Sequence, residues 1–222
     1  ECPNLKSVSL PEGLEEIGFK AFVHCSSLTE VSLPSTVKNM KYAAFAQTGL
    51  ESVSLPDGIE HVGEFCFQEI AAERVDLSNT SLTEMYRGLF VKAESLKEVI
   101  LPASLKILNN ANFLECASLN TVKCLAQEPP LVGEPCFEDA VKTSATLYVL
   151  DASLAAYKSA NVWKDFFAVK GLTATGLSSP EAADDDTVRD IYDLSGRKSN
   201  KASKGLNIFK MKSGEIRKSL TR

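Results

Sequence analysis

Residues 25–47 read CSSLTEVSLPSTVKNMKYAAFAQ, and residues 2–24 read CPNLKSVSLPEGLEEIGFKAFVH, with the same order of apolar, polar and proline positions. A phenylalanine near the end of each copy returns every 22 to 24 residues, at Phe22, Phe45, Phe67, Phe90, Phe113 and Phe137. A repeat with a period in the low twenties predicts a solenoid, in which each copy forms one coil that stacks on its neighbours. We therefore expect most residues that recur once per coil to be scaffold.

Each copy also contains an apolar–polar–apolar segment, which predicts a short, half-buried β-strand. Its first apolar residue is Val8, Val31, Val53, Val75, Val99 or Val122, and its second is Leu10, Leu33, Leu55, Leu77, Leu101 or Cys124. Proline follows in four copies and ends the strand, because it cannot donate a backbone hydrogen bond. We predict one strand per coil, stacked into a parallel sheet with about 4.8 Å between strands.

The remaining apolar residues complete each coil. A second apolar pair follows the strand, such as Leu14 with Ile17 in the first copy, and the phenylalanine is expected at the far corner. One coil alone cannot bury these residues, whereas stacked coils bury them continuously. In the fourth copy Ser78 and Asn79 replace the proline, which we expect to alter a turn rather than the fold.

Composition excludes several classes of protein. The 222 residues are 44% hydrophobic and 24% charged with a net charge of −5, which is typical of a soluble protein with a core. Nucleic acid is not an expected partner, because binding it requires clustered Lys and Arg. No apolar run approaches the roughly 20 residues of a transmembrane segment. No signal peptide follows Glu1, and since the chain begins inside a repeat we expect a mature or trimmed protein from which it was removed.

The pattern C-x-x-L-x-x-V-x-L-P-x-x-L-x-x-I-x-x-x-A-F resembles the BspA-like leucine-rich repeat family of bacterial surface proteins. The resemblance covers residues 2–139, where six copies share several fixed positions. It implies a leucine-rich repeat solenoid, an extracellular or cell-surface location, and a role in adhesion to host or matrix proteins. It does not imply an enzyme.

Residues 1–170 are predicted to form the solenoid, with residues 146–169 as its closing coil. Four aromatic residues near its end are expected to form a lid over the last coil: Tyr157, Trp163, Phe166 and Phe167. The alternative is a site that stacks a carbohydrate or another ligand, since Trp163 is the only tryptophan.

Residues 171–187 are small and polar, which predicts a linker, and the three aspartates at 184–186 lack the spaced partners of a calcium site. Residues 188–222 contain short alternating runs broken by Ser-Gly at 195–196 and 213–214, which predict hairpin turns in a small C-terminal β module. This segment resembles C-terminal β modules of exported proteins from the same bacterial group, some of which are sorting signals. A structural module is the alternative.

The six cysteines and two histidines form no metal-ligand or nucleophile–base pattern, so we predict no catalytic residue, metal site or cofactor. The cysteines fall at repeat positions, which is typical of small buried side chains. Cys2 and Cys25 are the exception, because they are in phase on adjacent coils and within reach of a disulfide if the protein is extracellular.

The polar strand residues are the predicted binding surface, because repeat proteins recognise partners through extended faces. The residues on either side of the strand valine are predicted to point outward: Ser7, Ser9, Glu30, Ser32, Ser52, Ser54, Arg74, Asp76, Glu98, Ile100, Thr121 and Lys123. A merely solvated face is the alternative interpretation. We expect a non-catalytic protein that binds a host or extracellular-matrix protein through this face, or alternatively a structural spacer in a longer surface protein, with the ligand and oligomeric state left open.

Overall fold

The computed structural model describes residues 2–172 together with the backbone of residues 188–192, 198–199, 205–211 and 216–221. The chain divides into two compact units, residues 1–177 and 178–222. The first is a solenoid of parallel strands with about seven turns of roughly 23 residues each, so the predicted leucine-rich repeat solenoid is confirmed.

Most coils contribute a second short strand in addition to the predicted one. One side carries two three-stranded parallel sheets made of β1 (Glu16–Ile17), β2 (Asn39–Met40) and β4 (His61–Val62), and of β6 (Glu84–Met85), β8 (Ile107–Leu108) and β10 (Leu131–Val132). The other side carries one six-stranded parallel sheet of β3 (Ser52–Val53), β5 (Arg74–Asp76), β7 (Glu98–Leu101), β9 (Thr121–Cys124), β11 (Thr146–Leu150) and β12 (Ala168–Leu172).

We call this six-stranded sheet, with the Ser9–Ser32 bridge that continues its pattern into the first two coils, the strand face. Its register aligns Val53, Val75, Val99 and Val122 of successive coils. These valines are buried, so the alternate residues of each strand point away from the core. The two-residue strands of the other side carry too few residues for a period-two pattern, which is why the sequence did not predict them.

The recurring phenylalanines stack into one ladder through the core. Their ring centroids are 5.1 to 5.9 Å apart and adjacent rings are within 13° of parallel, from Phe22 through Phe45, Phe67, Phe90 and Phe113 to Phe137. Each ring therefore packs against the corresponding ring of the next coil, and the predicted scaffold role is confirmed.

A ladder of backbone hydrogen bonds accompanies the rings. The residues two before and two after each phenylalanine have a left-handed φ between 52° and 65° in the first five coils. These residues and the phenylalanine between them donate N–H groups to the next coil, as Phe22 does to Ala44 O (2.8 Å) and Phe45 to Cys66 O (2.9 Å). The strained conformations are offset by pairing the buried backbone of every coil with its neighbour.

Side chains replace the missing proline turn in the fourth coil. The Asp76 carboxylate accepts the Ser78 N–H (3.0 Å), and the Asn79 amide donates to Leu55 O (2.9 Å) and to Asp57 (2.7 Å) of the preceding coil. As expected, the sequence change alters the turn and leaves the stacking intact.

α1 (Asp139–Lys142) precedes the closing coil, which contains β11, α2 (Leu154–Tyr157) and β12. Tyr157 and Trp163 are fully buried and Phe166 is 5% exposed. The Tyr157 hydroxyl donates to Ala126 O (2.9 Å), and Trp163 Nε1 donates to Pro130 O (2.9 Å). These contacts confirm the lid and leave no open Trp163 face for a ligand, although Phe167 is 73% exposed and lies outside the lid.

β12 runs to Leu172, two residues beyond the predicted end of the solenoid at 170, because Gly171 and Leu172 pair with Val149 and Leu150. From residue 173 the predicted linker, with its aspartates at 184–186, lies outside the described residues. The second unit contains an antiparallel sheet in the order β14 (Lys198–Ser199), β13 (Val188–Tyr192), β15 (Gly205–Met211) and β16 (Ile216–Thr221). The predicted Ser-Gly turns at 195–196 and 213–214 also lie outside the described residues.

The described helices have at most four residues, and none of them is long and apolar enough to cross a membrane.

Candidate interaction surface

The first four coils leave the strand face open to solvent. Seven of the predicted outward residues are exposed there: Ser7, Ser9, Glu30, Ser32, Ser52, Ser54 and Arg74. Asp76 and, further along the sheet, Thr121 are half-buried. The Ser9–Ser32 bridge and the pairing of Ser52 with Arg74 place these residues side by side across neighbouring coils. The result is a flat surface of small hydroxyl side chains that ends at a charged group.

Three of the predicted outward residues are not open to solvent. Glu98, Ile100 and Lys123 are only 9%, 3% and 6% exposed. Ile100 packs with Leu125 and Leu172, and Tyr148 packs against the same group. These three side chains lie on the outer face of the sheet, in register with Arg74 and Asp76, but apolar residues of later coils pack there, so they are not exposed to solvent as a binding surface would require.

The charged residues of the strand face pair with one another. Arg74 donates from Nε to Glu98 Oε1 (3.1 Å) and from Nη2 to Asp76 Oδ2 (2.8 Å), while Lys123 Nζ lies 3.3 Å from Glu98 Oε1. Burial opposes ionisation of Asp76, but hydrogen bonds from Ser78 and Arg74 lower its pKa below the ordinary value. Two cations and two carboxylates therefore form one chain with no net charge.

This pairing limits how the surface can be tested. Reversing the charge of Glu98 would leave Lys123 buried without a partner, and breaking a buried pair in this way costs about 3–5 kcal/mol. Such a variant would report on folding rather than on binding. The exposed serines of coils two and three are better probes, because no described contact of the fold depends on their hydroxyl groups.

An open cleft of about 630 Å³ lies at the boundary between the serine surface and the charged chain. Its lining consists of Glu51, Ser52, Val53, Ala71, Glu73, Arg74 and Asp76. Glu73 is paired with Lys97 (2.8 Å), and Arg74 and Asp76 are paired with each other. The cleft therefore offers the Ser52 hydroxyl and the Glu51 carboxylate to a partner, with its other charges already matched.

A second open cleft, of about 440 Å³, is lined by residues that include Thr48, Glu69 and Lys92. The amides of Gln47 and Gln68 each donate to Glu69 at 2.8 Å, and the Gln47 bond is the main reason why the pKa of this carboxyl is lowered. The Glu69 carboxylate, which also lies 3.9 Å from Lys92, is therefore already matched by groups of the chain itself.

Five of the six cysteines are buried. Burial raises the pKa of Cys66, Cys116 and Cys136 to about 12 and that of Cys124 to about 11, which confirms their interpretation as small apolar residues. Cys2 is exposed. Its carbonyl accepts the Leu5 N–H just as that of Cys25 accepts the Leu28 N–H, so the two cysteines occupy equivalent turns. The disulfide stays a prediction.

Across the described residues, no three His, Cys, Asp or Glu side chains converge as ligands of a metal ion would. His61 packs edge-on against Tyr86, with ring centroids 4.7 Å apart.

The BspA-type leucine-rich repeat model matches residues 1–120 in six copies, which is more than half of the chain. The chain belongs to this family. Members are generally non-enzymatic scaffolds for protein interaction, and the predicted family is thereby confirmed.

The comparison with solved structures matches bacterial leucine-rich repeat proteins. A leucine-rich repeat protein from Bacteroides ovatus ATCC 8483 is 19% identical with a TM-score of 0.52, and the match covers 77% of this chain and 56% of that one. A leucine-rich repeat protein from Eubacterium ventriosum ATCC 27560 is 14% identical with a TM-score of 0.48, covering 74% and 41%. A leucine rich cell surface protein from Faecalibacterium prausnitzii A2-165 is 14% identical with a TM-score of 0.30, covering 79% and 62%.

The BspA-type chain thus spans 56% and 41% of the first two of these proteins. No functionally curated protein gives a significant match.

The BspA-type solenoid also has an aromatic group that the sequence interpretation missed. Phe19, Tyr42 and Phe65, here called the aromatic row, lie at the corner that follows the second strand of coils one to three. Phe19 and Tyr42 stack with centroids 5.2 Å apart, and Tyr42 meets Phe65 edge-on at 5.7 Å. Phe19 and Tyr42 both precede the ladder phenylalanine by three residues, a recurrence that could have revealed them.

Proposed function

We propose that this BspA-type chain is a non-catalytic, secreted or cell-surface protein that adheres to a host or extracellular-matrix protein through the strand face. The supporting observation is the open serine surface of the first three coils, which runs into the cleft beside Arg74. A flat array of short hydroxyl side chains can accept and donate hydrogen bonds along a partner without steric obstruction. Repeat proteins commonly bind partners through such extended surfaces.

The composition of this surface favours a protein partner. The surface has few long side chains to order, so binding costs little side-chain entropy. The exposed Glu30 and Glu51 give it a slight negative charge, while the Arg74–Asp76–Glu98–Lys123 chain is internally neutral. A partner would therefore be held mainly by shape and hydrogen bonds, and its affinity would depend only weakly on salt.

The test uses the immobilised chain and a panel of purified serum and extracellular-matrix proteins at low and high salt. Ser32→Arg and Ser54→Arg place a long cation on the surface without removing a described contact. Ser118→Arg makes the same change in an exposed turn outside the strands and is the matched control. We expect a saturable partner whose affinity falls about tenfold in the two strand-face variants and is unchanged in the control.

Equal binding by all three variants would contradict the strand-face assignment. Binding to no member of the panel would favour the second candidate, a structural spacer. That candidate is supported by the uninterrupted ring ladder from Phe22 to Phe137, which makes the solenoid a continuous packed rod. An antibody against the chain that labels intact bacterial cells or their culture fluid would test the proposed location.

A further inference from the structure

The aromatic row exposes apolar surface that the fold itself does not use. Phe19 is 65% exposed and Tyr42 is 38% exposed, although the ladder rings three residues further along each coil are half-buried or buried. Single exposed apolar residues are ordinary, but these rings are in contact with one another across three coils. Contiguous exposed aromatic surface is a feature of protein interaction sites, where aromatic residues and arginine supply most of the binding energy.

Backbone geometry and cations hold the row in place. The ring of Phe65 lies against Gly88, where any side chain would collide with it and where φ is +65°. Arg87 lies over the Phe65 ring with its guanidinium carbon 5.5 Å from the centroid. At the other end, Lys20 Nζ lies 5.2 Å from the Phe19 centroid and 5.7 Å from that of Tyr42. A cation over an aromatic face is attracted to it, so each end carries a fixed positive charge.

These two cations have no carboxylate partner among the described residues. No Asp or Glu oxygen of that part of the chain lies within 4.0 Å of Lys20 or Arg87. Neighbouring lysines do have partners: Lys41 pairs with Glu16 at 3.1 Å and Lys38 with Glu60 at 4.0 Å. Glu64, the exposed acid of the same corner, forms no ion pair with Arg87. The row therefore combines exposed rings with two unmatched positive charges.

We propose that the aromatic row is a second interaction surface, which binds an extended acidic segment of a partner protein lying along the solenoid. Lys20 and Arg87 lie in the first and fourth coils, so at about 4.8 Å per coil their backbones are about 14 Å apart along the stack. In an extended chain, residues i and i+4 point to the same side and are also about 14 Å apart. Carboxylates at i and i+4 would then reach the two cations, and an apolar side chain at i+2 would lie on Tyr42 and Phe65.

Glu64 disfavours an acidic residue at position i+2 of the bound segment. Glu64 is exposed and follows β4 in the third coil, between the coils that carry Lys20 and Arg87, so an acid at i+2 would be repelled by its carboxylate. The preferred segment is therefore acid–x–apolar–x–acid rather than a uniformly acidic run. This surface lies beyond the second strand of each coil and does not depend on the proposed role of the strand face.

The test is fluorescence anisotropy of the full chain with a labelled peptide whose centre is Asp-Thr-Phe-Thr-Glu, titrated to saturation at low and high salt. The matched peptides carry Asn-Thr-Phe-Thr-Gln or Asp-Thr-Ala-Thr-Glu. We expect Lys20→Gln and Arg87→Gln each to weaken binding of the first peptide about three- to fivefold, as exposed ion pairs allow. Glu64→Gln should strengthen it, and raised salt should weaken it.

Lys106→Gln removes an exposed lysine elsewhere on the solenoid and is the control variant. Far-UV circular dichroism establishes that each variant is folded. The proposal is overturned if the acidic peptide does not bind, if the neutral peptide binds as well, or if Arg87→Gln has no larger effect than Lys106→Gln. Unchanged peptide binding by Ser54→Arg, together with weaker binding by Arg87→Gln, would show that the row acts independently of the strand face.

Discussion

Replacement of Phe90 by alanine should be among the most damaging changes in the solenoid. The Phe90 ring is fully buried and stacks on Phe67 at 5.7 Å and on Phe113 at 5.9 Å. Removing a buried phenylalanine costs about 3–5 kcal/mol, and a site with a ring on both sides cannot collapse easily, so we expect about 4 kcal/mol. Among the described residues, Phe22 stacks on one ring, that of Phe45 at 5.1 Å, and is half-buried, so Phe22→Ala should cost about 2 kcal/mol.

Urea unfolding measures both variants with two probes. Circular dichroism reports on the whole stack, and the fluorescence of buried Trp163, which contacts Phe137 at 6.1 Å, reports on the closing coil. For a chain of this length, 4 kcal/mol corresponds to a fall in Tm of about 8–16 °C. Phe90→Leu, which retains an apolar side chain but no ring, should lose less. Equal losses for Phe22→Ala and Phe90→Ala would refute the argument that burial between two coils sets the energy of each ring.

Three further predictions concern thiols, a buried amide and acid stability. When a thiol reagent is added, Cys2 should react in the native protein, whereas the five buried cysteines should react only after unfolding. If instead no cysteine reacts in the native protein and only four react after unfolding, Cys2 and Cys25 form a disulfide. Asn112→Leu should lower the free energy of unfolding, measured in urea, by about 1–3 kcal/mol, because the buried Leu89 N–H loses the Asn112 Oδ1 acceptor that lies 3.0 Å away. An unchanged free energy of unfolding would show that a water molecule accepts the Leu89 N–H in the variant. The lowered pKa of Asp76 stabilises the fold above the ordinary carboxyl pKa of about 4, and this stabilisation disappears as the pH falls through the lowered value. Asp76→Asn should therefore have a lower free energy of unfolding than wild type at neutral pH, and that free energy should fall less than the wild-type value when the pH is lowered to 3. An equal fall in the free energy of unfolding of variant and wild type would contradict this prediction.

The ring ladder was accessible to sequence reasoning because every coil meets a copy of itself. Phe45 lies between Phe22 and Phe67, so the residue that contacts each phenylalanine is known from the period alone. The same logic located the buried strand valines and the buried cysteines. It missed the second strands, which are two residues long and depend on backbone pairing between coils rather than on a local pattern.

Exposure along the strand face could not be predicted in the same way. Lys123 follows its valine just as Ser54 does, yet the lysine is buried and the serine is exposed. The difference is made by Tyr148 and Leu172, which come later in the chain and pack with Ile100 beside the lysine. A repeat pattern describes what all coils share, whereas burial of one coil depends on residues that the others lack.

The aromatic row shows the same limit. Phe65 precedes its ladder ring by two residues, whereas Phe19 and Tyr42 precede theirs by three. The Phe65 ring nevertheless contacts Tyr42, because Phe65 adopts a left-handed conformation and Gly88, which has no side chain, leaves space for the Phe65 ring. No alignment of the copies would have grouped these three residues.

The sequence by itself determined the period, the stacking order and the residues that fill the core. In a solenoid the same apolar positions of every coil are buried against the same positions of the next coil. Only the tertiary structure decided which polar residues meet solvent, which charges are matched, and that Lys20 and Arg87 flank exposed rings. Those properties depend on the few side chains that differ between neighbouring coils and on distances across the stack. A repeat pattern contains neither, because it records only what the coils have in common.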